Sequence, residues 1–256
     1  MKRQLFSLLL LFVIGALLLP CCVSAPQPLP ELTPPDWQDG ETALYEIVRN
    51  DSVLYTRKTV VQFDAEDDEP TVVITNIVQS QTVPFYFFDS TTFALTRYTL
   101  TPLWSYRVVS TEISITEVEA DFEPDQIELR KTTVDGSERN DFKKAKNTYG
   151  IEMLQHLFRA LPLDPGLNFQ LNIIIPLEFR TARVDVTVLG TKMVSTPLGD
   201  ILCREVSAVS QRRRLRLLYE LAQPHRLIAI RDSENGTETR LVGFSLSVTD
   251  TLPALP

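Results

Sequence analysis

Apolar and polar residues alternate with a period of two along most of this chain. Ala182, Val184, Val186 and Val188 alternate with Arg183, Asp185 and Thr187, and Val242, Phe244, Leu246 and Val248 alternate with Gly243, Ser245 and Ser247. Val53, Tyr55, Val61 and Phe63 share one parity of a further long segment. Successive strand side chains point to opposite faces, so these runs predict strands with one buried and one wetter face. Asn50-Asp51-Ser52, Pro197-Leu198-Gly199-Asp200 and Ser233-Glu234-Asn235-Gly236 separate such runs and predict tight turns. Ile113 and Ile115 are odd, whereas Val118, Ala120 and Phe122 are even. That change of face predicts a β-bulge between Thr116 and Glu117, a device that bends a sheet toward a barrel.

One segment breaks the strand pattern. Ile151, Leu154, Leu157, Phe158 and Leu161 recur at three- and four-residue spacing, which predicts an amphipathic helix over 149–161. Pro162 stops it, and Pro165-Gly166 turns the chain into the next strand. Leu154, Leu157 and Phe158 are expected to cover one side of the sheet, because a sheet face must be buried by something. The expected fold is mainly β: a curled antiparallel sheet or half-open β-barrel with this one helix, formed by a single domain over 40–250 with a tail at 251–256.

The first residues carry a different signal. Lys2 and Arg3 precede an apolar run over 5–19, interrupted only by Ser7 and Gly15, and Pro20 is followed by Cys21-Cys22-Val23-Ser24-Ala25. A charged start, an apolar stretch and small residues in that order make 1–25 an export signal. The run falls short of the roughly 20 residues that span a bilayer. Three outcomes are compatible with it: cleavage after Ser24 or Ala25, lipid attachment at Cys21 or Cys22, or an uncleaved anchor. Each exports the remainder, with membrane contact only through the N-terminus. Pro26, Pro28, Pro30, Pro34 and Pro35 make 26–39 an extended linker. The expected location is periplasmic, extracellular or membrane-tethered.

Charge and cysteine content narrow the classes of function. The net charge is −8, and removing Lys2 and Arg3 gives −8 − 2 = −10, which disfavours nucleic acid as a partner. Cys203 is the only cysteine beyond the signal, so no intrachain disulfide framework exists and a buried free thiol is expected. His156 and His225 have no further His or Cys at ligand spacing, and no serine sits in a G-x-S-x-G context. The acidic run 64–69 lacks the spacing of a calcium loop and reads as a solvated turn. Arg212, Arg214 and Arg216 share a strand face opposite Leu215, Leu217 and Tyr219. They suit a solvated outer face, or a local contact with anionic headgroups or an acidic partner. No metal, cofactor or catalytic set is expected. Phe85, Phe87 and Phe88, with Phe93, Trp104 and Tyr106 nearby, put aromatics on both faces of adjacent strands. Core packing is one reading of them; lining of a hydrophobic-ligand pocket is the other.

The landmarks also form a recognisable series. Leu161-Pro162-Leu163 and Pro165-Gly166 are followed by Val188-Leu189-Gly190, Val194, Thr196-Pro197-Leu198-Gly199, Cys203 and Tyr219. Pro224-His225-Arg226-Leu227 and Arg240-Leu241-Val242-Gly243-Phe244 complete it, with Gly40-Glu41-Thr42-Ala43-Leu44-Tyr45 as the opening strand. This order resembles the bacterial domain-of-unknown-function 3108 family, departing from it at Ile201-Leu202, where an aromatic often precedes the cysteine. The resemblance implies an exported, curled antiparallel sheet, similar in architecture to the periplasmic lipoprotein carriers. It carries over no catalytic residue. The function expected is non-catalytic: binding of a hydrophobic or lipid-like ligand, or alternatively a structural or protein-interaction role in the envelope. An envelope hydrolase is the remaining alternative.

Overall fold

The computed structural model describes residues 27–64, 70–80 and 86–246. The signal with Cys21 and Cys22, residues 65–69 of the acidic run, Phe85, Val248 and the tail 251–256 lie outside the described residues. Fifteen strands form one sheet. The first eight are β1 (Thr42–Arg49), β2 (Ser52–Asp64), β3 (Thr71–Ser80), β4 (Phe87–Thr96), β5 (Pro102–Thr111), β6 (Ile115–Phe122), β7 (Gln126–Thr133) and β8 (Gly136–Lys143). The others are β9 (Thr148–Gly150), β10 (Asn168–Ile175), β11 (Arg180–Thr196), β12 (Gly199–Ser210), β13 (Arg213–Glu220), β14 (Leu227–Asp232) and β15 (Thr237–Ser245). The order runs from β8 down to β1, then from β15 down to β9. The sheet edges, β8 and β9, are therefore consecutive in sequence. The pairing is antiparallel throughout except between β9 and β10.

The sheet curls without closing into a barrel, and the helical segment 151–160 sits inside the curl. The same segment reaches both halves: Arg57 of β2 donates to Gln155 Oε1 at 2.7 Å, and Tyr219 of β13 donates to the Gln155 carbonyl at 2.7 Å. Register shifts at Leu44/Tyr45, Ile47/Val48, Ala94/Leu95, Val188/Thr191 and Leu218/Tyr219 supply the bends. The bulge expected between Thr116 and Glu117 is absent. Ile113 lies in the exposed hairpin turn between β5 and β6, and Ile115, the first residue of β6, faces outward while Val118, Ala120 and Phe122 face inward, so the strand needs no change of face. The shift at Leu44/Tyr45 also corrects the reading of β15: Leu241 and Phe244, not Val242 and Phe244, pack on the core.

The turns follow their residues. Asn50 and Asp51 form a two-residue loop with φ of 49° and 61°, the left-handed pair that matches the twist of a hairpin and that Asn and Asp tolerate. Helical structure starts later than the periodicity suggests. Thr148–Gly150 is a strand, and 151–160 is one α-helical turn, Leu154–Leu157, flanked by 3₁₀ turns. Met153, Leu157 and Phe158 are fully buried in the main core cluster, with Phe93, Phe169 and Tyr219. The linker residues pack on the domain from Gln27 onward: Gln27 bridges to Phe169, the Thr33 amide donates to the Ala160 carbonyl at 2.9 Å, and Trp37 is buried. Leu29, Leu32 and Trp37 interrupt the prolines, and their apolar surface is what holds the segment against the core.

Cys203 is buried as expected, with Sγ 3.5 Å from the Ile201 carbonyl oxygen. Burial, aided by the Glu220 carboxylate, pushes its thiol up to about 11. Thiolate is the reactive form, so native Cys203 is expected to react with a thiol label far more slowly than the unfolded chain. Equal labelling rates would overturn the burial. Cys203→Ser should cost about 1–3 kcal/mol in chemical denaturation, because the hydroxyl gains little compensation there.

Candidate functional site

The inner face changes character along the strands. Val61, Ile74, Phe93, Ser105, Ala120 and Leu129 are cross-strand neighbours in β2 to β7, and the five apolar members belong to the buried core. Two residues further along β2, the row becomes Thr59, Asn76, Thr91 and Arg107; the next row holds Arg57, Val78 and Asp89. On the opposite half of the sheet the lining is mixed: Ile173, Val184, Ala208, Leu215, Leu217 and Ile230 are apolar, and Ser210, Arg213, Asp232, Thr237 and Thr239 are polar. Between these walls and beneath the helical segment lies a partly open cavity of about 480 Å³. That is within the roughly 300–1,000 Å³ of ligand sites. Glu152, Leu154, Gln155 and Phe158 form its helical side.

The charges of the cavity differ in how they are satisfied. Asp89 accepts from both Nε and Nη2 of Arg107, at 2.9 and 2.6 Å. Asp232 accepts from Arg213 at 2.8 Å and from the turn amides of Glu234 and Asn235, contacts that outweigh burial and keep its carboxyl below the usual range. Glu178 is held by Arg180. Arg57 is different. It is buried, and its three acceptors are neutral: Gln155 Oε1 at 2.7 Å, Asn76 Oδ1 at 2.6 Å and Thr59 Oγ1 at 3.3 Å. Its Nε has no partner, and desolvation lowers its pKa. Glu152 Oε2 is also buried without a partner, and desolvation raises the pKa of that carboxyl toward the neutral form. Gly150 makes room for it, since a Cβ there would stand 2.5 Å from Glu152 Oε1.

Among the described residues, the candidate aromatics are absent from this lining. Inner-face positions in β4 and β5 are odd, so Trp104 and Tyr106 project from the other face and are partly exposed. Phe93 is fully buried core, with its ring 5.5 Å from His156. Phe87 packs on Tyr55 at 5.2 Å, and Phe88 is half-buried on the parity opposite Phe87. His156, which the helical pattern places away from Ile151 and Phe158, is buried instead, because the curl surrounds the helical segment on more than one side. Burial, with Arg57 and Arg159 nearby, pulls its pKa well below the ordinary histidine value. His225 is engaged elsewhere, with Nδ1 3.0 Å from the Glu220 carbonyl oxygen. In the basic cluster, Arg213 and Arg216 pair with Asp232 and Glu205, and Arg212 lies 3.6 Å from Glu178. Among the described residues no three His, Cys, Asp or Glu side chains gather as a metal site would need.

Residues 43–242 match the family of proteins of unknown function DUF3108. The chain belongs to that family. Among solved structures, this DUF3108 chain is similar to a β-barrel-like protein of the domain of unknown function DUF1849 from Brucella abortus. The identity is 12%, the TM-score 0.54, and the match covers 82% of this chain and 98% of that one. At such identity the likeness shows the fold alone. A candidate exported protein of YmcC-like fold from Bacteroides fragilis matches at 11% identity and TM-score 0.32, over 85% of this chain and 100% of that one. A candidate lipoprotein from Parabacteroides distasonis matches at 7% identity and TM-score 0.32, with the same coverages. No curated protein matches the chain.

Proposed function

We propose that this DUF3108 protein is an exported, non-catalytic component of the cell envelope that holds a hydrophobic or lipid-like ligand inside its curled sheet. The observation that carries the reading is the cavity of about 480 Å³, whose far wall includes the apolar group Ile173, Ala208, Leu215, Leu217 and Ile230. Export is supported by the charged, apolar and small-residue order over 1–25. Absence of catalysis is supported by the state of the acids: Asp89 and Asp232 are each engaged by an arginine, which leaves Glu152 without a second free carboxyl to work with.

Thermal unfolding with single-chain amphiphiles tests this. A ligand that binds only the native state stabilises it by about 2.7 kcal/mol at a hundred times its Kd. The melting temperature should therefore climb with amphiphile concentration. Ala208→Phe, which places a ring into the cavity, should abolish that rise in a protein that still unfolds cooperatively. A flat melting temperature across chain lengths overturns the binder. A structural or interaction role, favoured by the filled core that adjoins the cavity, then takes its place.

A further inference from the structure

Arg57 is a cation of the cavity wall whose hydrogen-bond acceptors are all uncharged. A guanidinium has five N–H donors. Here three bonds go to Gln155, Asn76 and Thr59, and Nε has none. Asp89 acts on it only from beyond ion-pair distance, and both Asp89 oxygens belong to Arg107. Taking an isolated cation out of water costs several kcal/mol unless an anion compensates. A protein that needed only to fill this position would put valine or isoleucine there, as it does at Val61 on the same face of β2. Glu152 repeats the pattern from the helical side, with one buried oxygen unpartnered. Both residues line the same cavity, opposite its apolar group.

Resting on the binding role proposed above, we infer that Arg57 is an anion-binding residue, and that the ligand is a single-chain amphiphile. Its carboxylate or phosphate monoester head lies against Arg57, and its apolar chain lies against Leu215, Leu217 and Ile230. Gln155, Asn76 and Thr59 orient the guanidinium, and Arg107 on the neighbouring row keeps Asp89 occupied. Burial raises the pKa of the Glu152 carboxyl, which lessens its repulsion of an anionic head. An arginine is suited to this task because its planar fork matches two oxygens of a carboxylate or phosphate at once.

The test compares heads on one chain. The purified full chain, stripped of bound lipid, is titrated calorimetrically with dodecanoate, dodecyl phosphate and dodecanol, and with acetate and inorganic phosphate alone. Hydrogen bonds to a charged group predict that the two acids bind roughly 10- to 100-fold tighter than the alcohol. The free anions should bind far more weakly than their dodecyl forms. Arg57→Met should erase the preference for the acids over dodecanol, and Arg57→Lys should restore part of it. The comparison on the unaltered protein stands even if Arg57→Met does not fold. If dodecanol binds as tightly as dodecanoate and dodecyl phosphate, the role of Arg57 is overturned while the cavity remains a hydrophobic site. Inorganic phosphate binding as tightly as dodecyl phosphate overturns the amphiphile. If no dodecyl compound binds, the binding role itself fails, and this inference with it.

Discussion

Glu41→Ala is expected to destabilise the protein by about 3–5 kcal/mol, the range for breaking one partner of a buried ion pair. Glu41 and Arg159 are 3% and 6% exposed, which removes the solvent screening that makes surface pairs nearly worthless. Arg159 Nη1 donates to Glu41 Oε1 at 2.6 Å, and Nη2 donates to the Pro224 carbonyl at 3.2 Å. One guanidinium thus ties the end of the helical segment to the residue before β1 and to the turn before β14. Truncating Glu41 leaves it buried with only neutral acceptors. Urea denaturation measures the loss. Arg159→Met combined with Glu41→Leu should recover much of it, because an apolar pair of similar volume leaves no charge stranded. A loss below about 1 kcal/mol for Glu41→Ala would mean that the pair is solvated.

Phe158→Ala should cost about 3–5 kcal/mol, the transfer of the ring plus the void left behind. Phe158 is fully buried in the main core cluster and also borders the cavity, so its removal enlarges a space that already exists. The helical segment is too short to persist by itself, since isolated helices below ~12–15 residues are marginal. Its position depends on Met153, Leu157 and Phe158, on the Tyr219 hydroxyl and on Arg159. Phe158→Ala should therefore lower stability and accelerate hydrogen exchange of amides 151–160. A change under about half a unit in kcal/mol would make the segment a loosely attached lid rather than a plug.

The site was only partly legible. Along β2, Tyr55, Val61 and Phe63 mark the inner face, and Arg57 and Thr59 occupy the same parity. A charge on an otherwise apolar stripe is the sequence signal for the polar wall. Aromatic density misled because parity, not composition, decides which face a side chain takes: Trp104 and Tyr106 are even on a strand whose inner positions are odd. Gln155 carried no signal at all. It matters only because the curl brings the helical segment to Arg57, 98 residues away in sequence.

Local chemistry was enough for what depends on neighbours along the chain. Period-two alternation determined the strands, Asn50-Asp51 the left-handed hairpin turn, and Pro162 the close of the helical segment, because each follows from backbone sterics and side-chain direction within a few residues. The lone Cys203 in a strand was likewise read correctly as buried. Tertiary structure alone decided where register shifts bend the sheet, that the edges β8 and β9 are left unpaired among the described residues, and that the Pro-rich residues pack down on the core. It alone decided that His156 is enclosed and that Arg57 faces a cavity. Those outcomes depend on which surfaces meet when the sheet curls, and burial and the electrostatics it creates exist only once they have met.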